Sequence, residues 1–252
     1  MQDFINITIL AVLQGVSEFL PISSSGHLVI LQHLMDVPES LRLKLEVYLH
    51  AGTLLSIFVF YWRTVWRILV ERDWRYVLKI VLSALPAVVV YFLFKDDIEA
   101  MVSNARMVGA LLMFTGAVLI GTRYLPRGEK PVTFMRAFAM GLGQALALLP
   151  GVSRSGMTIA SARGGRVDAA AAAEFSFLMS APLIMGGVVL ELIKSPTGGY
   201  VMSQGVLIWG TILAAGVGYF SLALLLKALK GRWFWMFGPY CLVAGLLTLL
   251  FC

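Results

Sequence analysis

Near its start the chain carries a polar stretch, QGVSEFLPISSSGH, in which Gln14, Glu18, three serines and His27 follow one another closely. Gln14 and Glu18 are four residues apart, so on a helix they share one face. A carboxylate can hold a divalent cation or act as a base. An imidazole can transfer a proton or attack phosphorus, and the Ser24 hydroxyl can attack or hold an oxygen. The residues alone leave these roles open.

A second polar stretch, LPGVSRSGMT, supplies a cation. Arg154 lies between Ser153 and Ser155, and its planar guanidinium matches the oxygens of a phosphate group. Gly151 and Gly156 allow the backbone to approach a ligand closely, and the free N–H groups at the start of a following helix attract an anion. This stretch therefore favours an anion, above all phosphate, as the ligand.

Together the two stretches offer a carboxylate, an imidazole, hydroxyls and a guanidinium, a set that suits phosphoryl transfer. The predicted catalytic residues are Glu18, Ser24, His27 and Arg154. The residues predicted to bind the substrate are Gln14, Ser23, Ser25, Gly26, Ser153, Ser155 and Gly156. Glu18, with Gln14, is also the candidate ligand of a metal ion. The sequence has no zinc-type His/Cys cluster and no GxxxxGK[ST] loop.

The composition of the chain places these stretches in a membrane. Of the 252 residues, 59% are apolar and 13% are charged, where about 25% charged is usual for a soluble domain. The mean hydropathy is +0.85. A disordered chain is poor in apolar residues and a disulfide scaffold is rich in Cys, so both classes are excluded. Cys241 and Cys252, both in the last apolar segment, are predicted to be small apolar fillers.

Six apolar segments are long enough to cross a bilayer. They are residues 45–62, 76–94, 107–125, 171–193, 205–227 and 234–251. Lys and Arg concentrate after the first, third and fifth segments and before the fourth, which predicts cytoplasmic loops there and both termini outside. The same loops account for the net charge of +6, so no nucleic-acid partner is expected. Because the first basic residue is Arg42, the opening segment lacks the features of a signal peptide and is expected to stay in the mature protein.

Two further apolar stretches, residues 4–35 and 134–162, are interrupted near their middle by Pro, Ser and Gly. The unpaired backbone of such a break cannot face lipid, so both are predicted to be re-entrant helix-loop-helix hairpins. Four residues of the first stretch recur at one constant displacement in the second: Gln14, Ser23, Ser25 and Gly26 match Gln144, Ser153, Ser155 and Gly156.

These matches predict an inverted-topology repeat. Each half of the chain is one hairpin followed by three spans, and because three is odd the second half enters the membrane from the opposite side. The expected fold is an all-α integral membrane protein, one domain over residues 1–252. Its six transmembrane helices and two re-entrant hairpins form a first repeat over residues 1–125 and a second over 126–252.

The stretches QGVSEFLPISSSGH and LPGVSRSGMTI resemble the two signature motifs of the bacterial undecaprenyl-diphosphate phosphatase family, also called the bacitracin-resistance protein family. LEVYLHAGTLLSIFVFYWR and AAAEFSFLMSAP are also similar to family segments, so the resemblance extends across the chain. It implies the same fold and the hydrolysis of undecaprenyl diphosphate to undecaprenyl phosphate and inorganic phosphate. That reaction recycles the lipid carrier for cell-wall synthesis and gives bacitracin resistance.

The resemblance also implies roles for single residues. The family's acidic pair falls on Gln14 and Glu18, its serine pair on Ser23 and Ser24, its histidine on His27 and its arginine on Arg154. Gln14 stands where many members have Glu, which puts a mechanism with two carboxylates in doubt.

The family setting implies a cofactor, a substrate and a location. The implied cofactor is a divalent cation, Mg²⁺ or Ca²⁺, and the implied substrate is a polyprenyl diphosphate lipid. The protein is expected to cross the bacterial cytoplasmic (inner) membrane several times, with the active site reached from the outer (periplasmic) face. A homodimer is left open as a partner.

Two functions are weighed at this point. A transporter or flippase of a polyprenyl phosphate is the alternative, because inverted repeats with broken helices are common among carriers. Glu18, Ser24 and His27 discriminate, since hydrolysis needs a proton-transfer group and an attacking oxygen whereas a carrier needs only contacts to the anion. Other ionisable side chains within the spans are predicted to be paired or supporting rather than reactive: His50, Lys79, Glu46 and Glu174.

Overall fold

The computed structural model of the protein describes residues 2–102, 104–194 and 202–251. Throughout these ranges the chain is built from α helices joined by short connections. The helices are α1 Gln2–Ser17, α2 Ser24–Leu34, α3 Glu39–Phe60, α4 Trp62–Val70, α5 Trp74–Val102, α6 Ala105–Gly121, α7 Phe134–Leu146, α8 Arg154–Gly164, α9 Ala169–Lys194, α10 Gln204–Lys230 and α11 Phe237–Phe251. Single 3₁₀ turns follow α6 and precede α11.

Six of these helices are long and apolar enough to cross a membrane, which confirms the all-helical class and the predicted spans. Their apolar ranges are Leu41–Phe60, Trp74–Ile98, Ala105–Tyr124, Ala169–Val189, Gln204–Lys230 and Phe234–Phe251. Several helices extend beyond the predicted segments. In α5 the backbone is non-helical at Phe94 (φ −127°, ψ 22°), where the predicted segment ends, and a further helical stretch runs from there to Val102. Backbone hydrogen bonding does not stop where the hydropathy falls, so such boundaries differ by some residues.

The helices are interrupted where the sequence predicts breaks, between α1 and α2 and between α7 and α8. Ser23, the last residue before α2, has φ of 70°, a left-handed conformation that non-glycine residues rarely adopt. In the second break, Gly151 has φ of 96°. Ser153 caps α8, because its Oγ accepts a hydrogen bond from the Gly156 N–H at 3.1 Å. In both breaks the last residue before the next helix is a serine, Ser23 before α2 and Ser153 before α8.

Neighbouring helices fasten the two breaks to each other. Thr115 of α6 donates to the carbonyl oxygen of Gly151 and accepts from the N–H of Ser153, both at 3.1 Å. Ser155 of α8 donates to the carbonyl oxygen of Leu20 at 3.3 Å. Because backbone groups of a break lack helical partners, these bonds satisfy them inside the protein.

An apolar core surrounds the breaks. The ring of Phe19, in the first break, meets that of Phe177 on α9 edge to face, with centroids 5.3 Å apart. Cys241 is fully buried in the same cluster, as predicted for an apolar filler, and its thiol lies 3.5 Å from the Pro21 carbonyl oxygen. Cys252 lies outside the described residues. The core thus holds the first break against α9 and α11.

Candidate active site

A cavity of about 440 Å³ lies where the two breaks meet α3 and α9. Its polar lining comes from Ser17, Glu18, Ser23, Ser24, Ser25, Glu46, His50, Gln144, Ser153, Arg154 and Ser180. Its apolar lining includes Leu43, Val47, Ala147, Leu148, Val152, Leu183, Ile184 and Val188. A concave apolar site with a few convergent polar groups, of this volume, is typical of a small-molecule site.

Glu18 and Arg154 form an ion pair at the polar end of the cavity. Arg154 Nη2 donates to Glu18 Oε1. The two residues are 136 positions apart in the chain, so the packing of the two breaks creates the pair. The Glu18 side chain is only 7% exposed and that of Arg154 16%. At such burial a cation in contact favours the charged form of the carboxyl group.

Three side chains lie within 3.8 Å of the second carboxylate oxygen of Glu18. Its Oε2 accepts from Ser24 Oγ at 2.7 Å and from Gln14 Nε2 at 3.2 Å, and His50 Nε2 lies 3.8 Å away. His50 Nδ1 is 2.8 Å from the carbonyl oxygen of Glu46, one turn earlier in α3. Because a carbonyl can only accept, that contact assigns the proton to Nδ1 and directs Nε2 towards Glu18.

The guanidinium of Arg154 is restrained on its other side by α9. Nη1 donates to Ser180 Oγ at 2.6 Å, and Cζ lies 5.6 Å from the centre of the Phe177 ring. Ser180 in turn donates to the carbonyl oxygen of Phe177 at 2.8 Å. Arg154 is also the first residue of α8, where unpaired backbone N–H groups favour an anion. The arginine is therefore held at a position suited to a phosphate.

His27 lies outside the lining of this cavity, which differs from the expectation that it would join Glu18 and Arg154. Its Nδ1 is 2.8 Å from the Ser23 carbonyl oxygen, and its Nε2 is 2.8 Å from the Tyr240 hydroxyl of α11. These two contacts turn the imidazole towards α11. The histidine beside Glu18 is His50 instead.

The residues predicted to bind the substrate divide into two groups. Ser23, Ser25 and Ser153 line the cavity. Gln14, Gly26, Ser155 and Gly156 lie behind it. Gln14 is fully buried, and among the described residues its Oε1 has no hydrogen-bond partner. Gln14 donates a hydrogen bond to Glu18 through its amide nitrogen. Gln14 therefore contacts the carboxylate from behind the cavity and does not line the cavity itself.

The two glycines behind the cavity serve the packing of the breaks. A Cβ added to Gly26 would lie 3.3 Å from Val108 Cγ1 and 3.5 Å from the Gly151 Cα, and one added to Gly156 would lie 3.1 Å from the Ser153 Cβ. Contacts this short leave little room for a larger side chain. Gly26 therefore lets the two breaks approach each other rather than a substrate.

Glu174, Lys79 and Glu46 are predicted to be paired or supporting, and the structure gives each the following surroundings. Glu174 accepts from Thr64 at 3.0 Å and from Tyr76 at 3.4 Å, so it is paired outside the cavity. Lys79 lies over the Phe134 ring, 5.8 Å from its centre. Glu46 lines the cavity near His50.

Two residues of the site differ from what the sequence predicts. Ser180 is not among the predicted residues, and His50 is predicted only to be paired or supporting. His50 carried a usable signal, because it follows Glu46 by four residues and so shares its helix face. Ser180 carried none: a serine in an apolar helix commonly bonds a carbonyl of its own helix.

Glu18 and His50 are the residues that fit a divalent cation. The Glu18 carboxylate oxygen is the kind of ligand that Mg²⁺ and Ca²⁺ prefer, whereas the His50 imidazole nitrogen, 3.8 Å from it, is more typical of transition-metal sites. Among the described residues no group of three or more His, Cys, Asp or Glu side chains could hold a metal ion. A Mg²⁺ ion bound through one or two protein ligands usually completes its shell with substrate phosphates and water, so this donor set suits an ion that arrives with a phosphate.

Comparison with known proteins identifies the family to which the chain belongs. The family model described as bacitracin resistance protein BacA matches residues 7–247. An undecaprenyl-diphosphatase of Rhodopirellula baltica is 40% identical over 99% of this chain and 98% of its own length. Those of Salinibacter ruber and Thermotoga maritima are each 36% identical, over 94% and 96% of this chain and 95% and 98% of their own lengths. The chain is thus a multi-pass membrane protein that belongs to the BacA, or undecaprenyl-diphosphatase, family.

Proposed function

We propose that the chain hydrolyses undecaprenyl diphosphate to undecaprenyl phosphate and inorganic phosphate in the cavity between the two breaks. The observation that carries this assignment is the Glu18–Arg154 ion pair, with Ser24 hydrogen-bonded to the same carboxylate. The name undecaprenyl-diphosphatase, borne by relatives that match over their full length, supports the reaction. Its product is the carrier lipid for cell-wall synthesis, and bacitracin resistance follows from the family.

Arg154 binds the terminal phosphate of the substrate. The guanidinium is a planar donor matched to phosphate oxygens, and the start of α8 adds positive potential. As phosphate oxygens bind, Arg154 exchanges part of its contact with Glu18 for them. The charge that develops on the phosphate oxygens in the transition state is thereby neutralised, which is the main source of catalysis in phosphoryl transfer.

Glu18 and Ser24 supply the attacking oxygen and accept its proton. The Ser24 hydroxyl donates to Glu18 Oε2, so the carboxylate can take the proton of Ser24 or of a water molecule bound in its place. The attacking oxygen forms a bond to the terminal phosphorus. The bond from that phosphorus to the bridging oxygen breaks, and its electron pair leaves with undecaprenyl phosphate. Attack by Ser24 gives a phosphoserine that water then hydrolyses, whereas attack by water gives inorganic phosphate directly.

His27 acts through the backbone of Ser23. Its contacts with the Ser23 carbonyl and the Tyr240 hydroxyl brace the left-handed conformation of Ser23, which directs Ser24 at Glu18. Such strained backbone persists only where surrounding contacts hold it. We therefore assign His27 a positioning role in place of the catalytic role that the sequence predicted.

Glu18 would hold a divalent cation, Mg²⁺ or Ca²⁺, through a carboxylate oxygen, with His50 beside it. The charge of the ion would stabilise the phosphate oxygens. Gln14, the second ligand expected from the sequence, donates a hydrogen bond to Glu18 instead. That bond orients the carboxylate from below. Turnover is accordingly expected to rise on addition of Mg²⁺ or Ca²⁺ to protein treated with a chelator.

The architecture proposed for the chain is an inverted repeat with two re-entrant hairpins, α1–α2 and α7–α8. Paired contacts support it: α1 packs on α10 as α7 packs on α5, while α3 packs on α9 and α6 on α11. The serines of the two breaks also make corresponding contacts. Ser23 Oγ and Ser25 Oγ are 3.5 Å apart, and Ser153 Oγ and Ser155 Oγ are 3.3 Å apart.

The cavity is proposed to open to the outer (periplasmic) face. From His50 its lining follows α3 back towards Leu43, near the helix start that the loop charges predict to be outside. Arg163, at the end of α8, and Arg232, just after α10, belong to the two basic loops predicted to be on the other side. Burial lowers the pKa of the Arg163 guanidinium, and the nearby charge of Arg232 lowers it further. That proximity supports a common, cytoplasmic side for the two basic loops. A homodimer stays a prediction, to be checked by the mass of the protein in detergent.

Phosphate release from undecaprenyl diphosphate by the purified protein in detergent tests the site. Glu18→Ala and Arg154→Ala are each expected to lower turnover by about a hundredfold or more, the scale for loss of one electrostatic group. Glu174→Gln is the matched control, because it alters a partly buried carboxylate outside the cavity lining, and it is expected to keep wild-type turnover. Unchanged turnover in both site variants would reject the assignment.

The alternative, a carrier of a polyprenyl phosphate, would use Arg154 without needing Ser24 directed at Glu18. The same assay separates the two functions. A wild-type protein that binds the lipid and releases no phosphate, with or without Mg²⁺ or Ca²⁺, would favour the carrier.

A further inference from the structure

The walls of the cavity come from one face each of α3 and α9. On α3 the lining residues are Leu43, Glu46, Val47 and His50, and on α9 they are Ser180, Leu183, Ile184, Gly187 and Val188. Both sets follow the spacing of a single helix face. His50 and Ser180 stand at the polar end with Glu18 and Arg154, and the side chains beyond them are mostly apolar. The cavity therefore changes from polar to apolar along these two helices.

Gly187 leaves a gap in the apolar wall. A Cβ added there would meet no heavy atom within 4 Å. At 1.5 Å per helical residue, Gly187 lies about 10 Å along α9 from Ser180. On α3, Leu43 at the same apolar end of the lining is 50% exposed. The wall is thus open at the end away from Arg154.

We propose that the polyprenyl chain of the substrate leaves the cavity sideways past Gly187, between α3 and α9, and enters the outer leaflet of the bilayer at the same end of the cavity that is proposed to face outwards. A cavity of about 440 Å³ is of the size that encloses a drug-sized ligand, so it cannot hold a long polyprenyl chain together with its diphosphate. The chain needs an apolar route that begins at the phosphates. Val47, Leu183 and Ile184 line such a route, and Gly187 leaves it open.

The route rests on the proposed hydrolysis at Glu18 and Arg154, because it starts from the diphosphate that they bind. It adds a specificity-determining position. A side chain at residue 187 would occupy the space that the chain crosses, without displacing any protein atom within 4 Å. The long-chain substrate would lose affinity, whereas a substrate whose chain ends inside the cavity would not.

The test compares Gly187→Leu with Gly186→Leu in the full-length protein in detergent. Gly186 is a matched control because its Cβ would also meet nothing within 4 Å although it does not line the cavity. Both substitutions raise helix propensity alike. Phosphate release is measured from undecaprenyl diphosphate and from dimethylallyl diphosphate, whose single prenyl unit extends only a few bonds from the phosphates.

Gly187→Leu is expected to raise the KM for undecaprenyl diphosphate by about tenfold or more, the effect of losing a major apolar contact surface. The kcat/KM of Gly187→Leu for dimethylallyl diphosphate should match that of the wild type. For Gly186→Leu, both the KM for undecaprenyl diphosphate and the kcat/KM for dimethylallyl diphosphate should match the wild type. Three results would overturn the route. The first is a wild-type KM for undecaprenyl diphosphate in Gly187→Leu, and the second is an equal rise of that KM in Gly186→Leu. The third is an equal loss of activity by Gly187→Leu on both substrates. Failure of the wild type on both substrates would instead refute the hydrolysis.

Discussion

Replacing Ser180 with alanine is expected to lower turnover while leaving the fold intact. Ser180 accepts a hydrogen bond from Arg154 Nη1 at 2.6 Å and lines the cavity. Its own hydroxyl proton goes to the Phe177 carbonyl, in the preceding turn of the same helix. The substitution therefore removes one restraint on the guanidinium and breaks no contact between other helices.

The size of the effect follows from the three restraints on Arg154. A hydrogen bond to a charged group contributes about 1.5–3 kcal/mol, and each 1.4 kcal/mol corresponds to about tenfold in rate. Glu18 and the Phe177 ring still hold the guanidinium after the substitution. We therefore expect the lower end of that range, a loss of about tenfold in kcat/KM.

Phosphate release from undecaprenyl diphosphate measures the effect, and Ser176→Ala is the matched control. Ser176 lies one turn earlier in α9, is fully buried and pairs with the Thr158 hydroxyl at 2.6 Å, outside the cavity lining. Losing that bond should lower the free energy of unfolding by about 1 kcal/mol without changing turnover. Ser180→Thr restores a hydroxyl and should recover most of the activity.

Two results would refute this reasoning. Wild-type turnover in Ser180→Ala would show that Arg154 needs no restraint from α9. Equal losses in Ser180→Ala and Ser176→Ala, in proportion to lost stability, would show that the serine acts on the fold and not on the arginine.

Three further predictions concern residues around the first break. Gln14→Glu is expected to retain activity, because a protonated carboxyl group at position 14 can donate the hydrogen bond to Glu18 that the amide now donates; complete loss of phosphate release would contradict this. Tyr240→Phe is expected to lower turnover by less than about tenfold, since it removes one neutral hydrogen bond. His27→Ala should lower turnover further because both contacts of the imidazole are lost, and wild-type turnover in that variant would remove the positioning role of His27.

The helices and their two breaks could be predicted because local signals determine them. Apolar length sets the spans, and Pro, Ser and Gly mark the breaks near Pro21 and Gly151. The proximity of Glu18 and Arg154 could be anticipated from chemistry, since each charge at membrane depth needs a partner. The helices and breaks depend on residue type and spacing alone, whereas the Glu18–Arg154 pair also requires the packing of the two breaks.

The direction of single side chains could not be predicted in the same way. His27 turns towards Tyr240, which is 213 positions away in the chain. The residues around His27 in the sequence do not indicate that partner. His50 and Ser180 enter the site because α3 and α9 pack against each other. Such choices are made by tertiary contacts, which a linear pattern of residues does not contain.

The pairing of Glu18 with Arg154 also bears on how the chain is made. A lone carboxylate or guanidinium within a membrane helix costs about 2.5–3.5 kcal/mol on insertion scales. Ribosomes synthesise the half that carries Glu18 first, so Glu18 has no cationic partner from the second half until Arg154 emerges, 136 residues later. Until the two halves pack together, neither Glu18 nor Arg154 has the other as its partner. Correct biogenesis of this protein is therefore coupled to completion of the site that performs its chemistry.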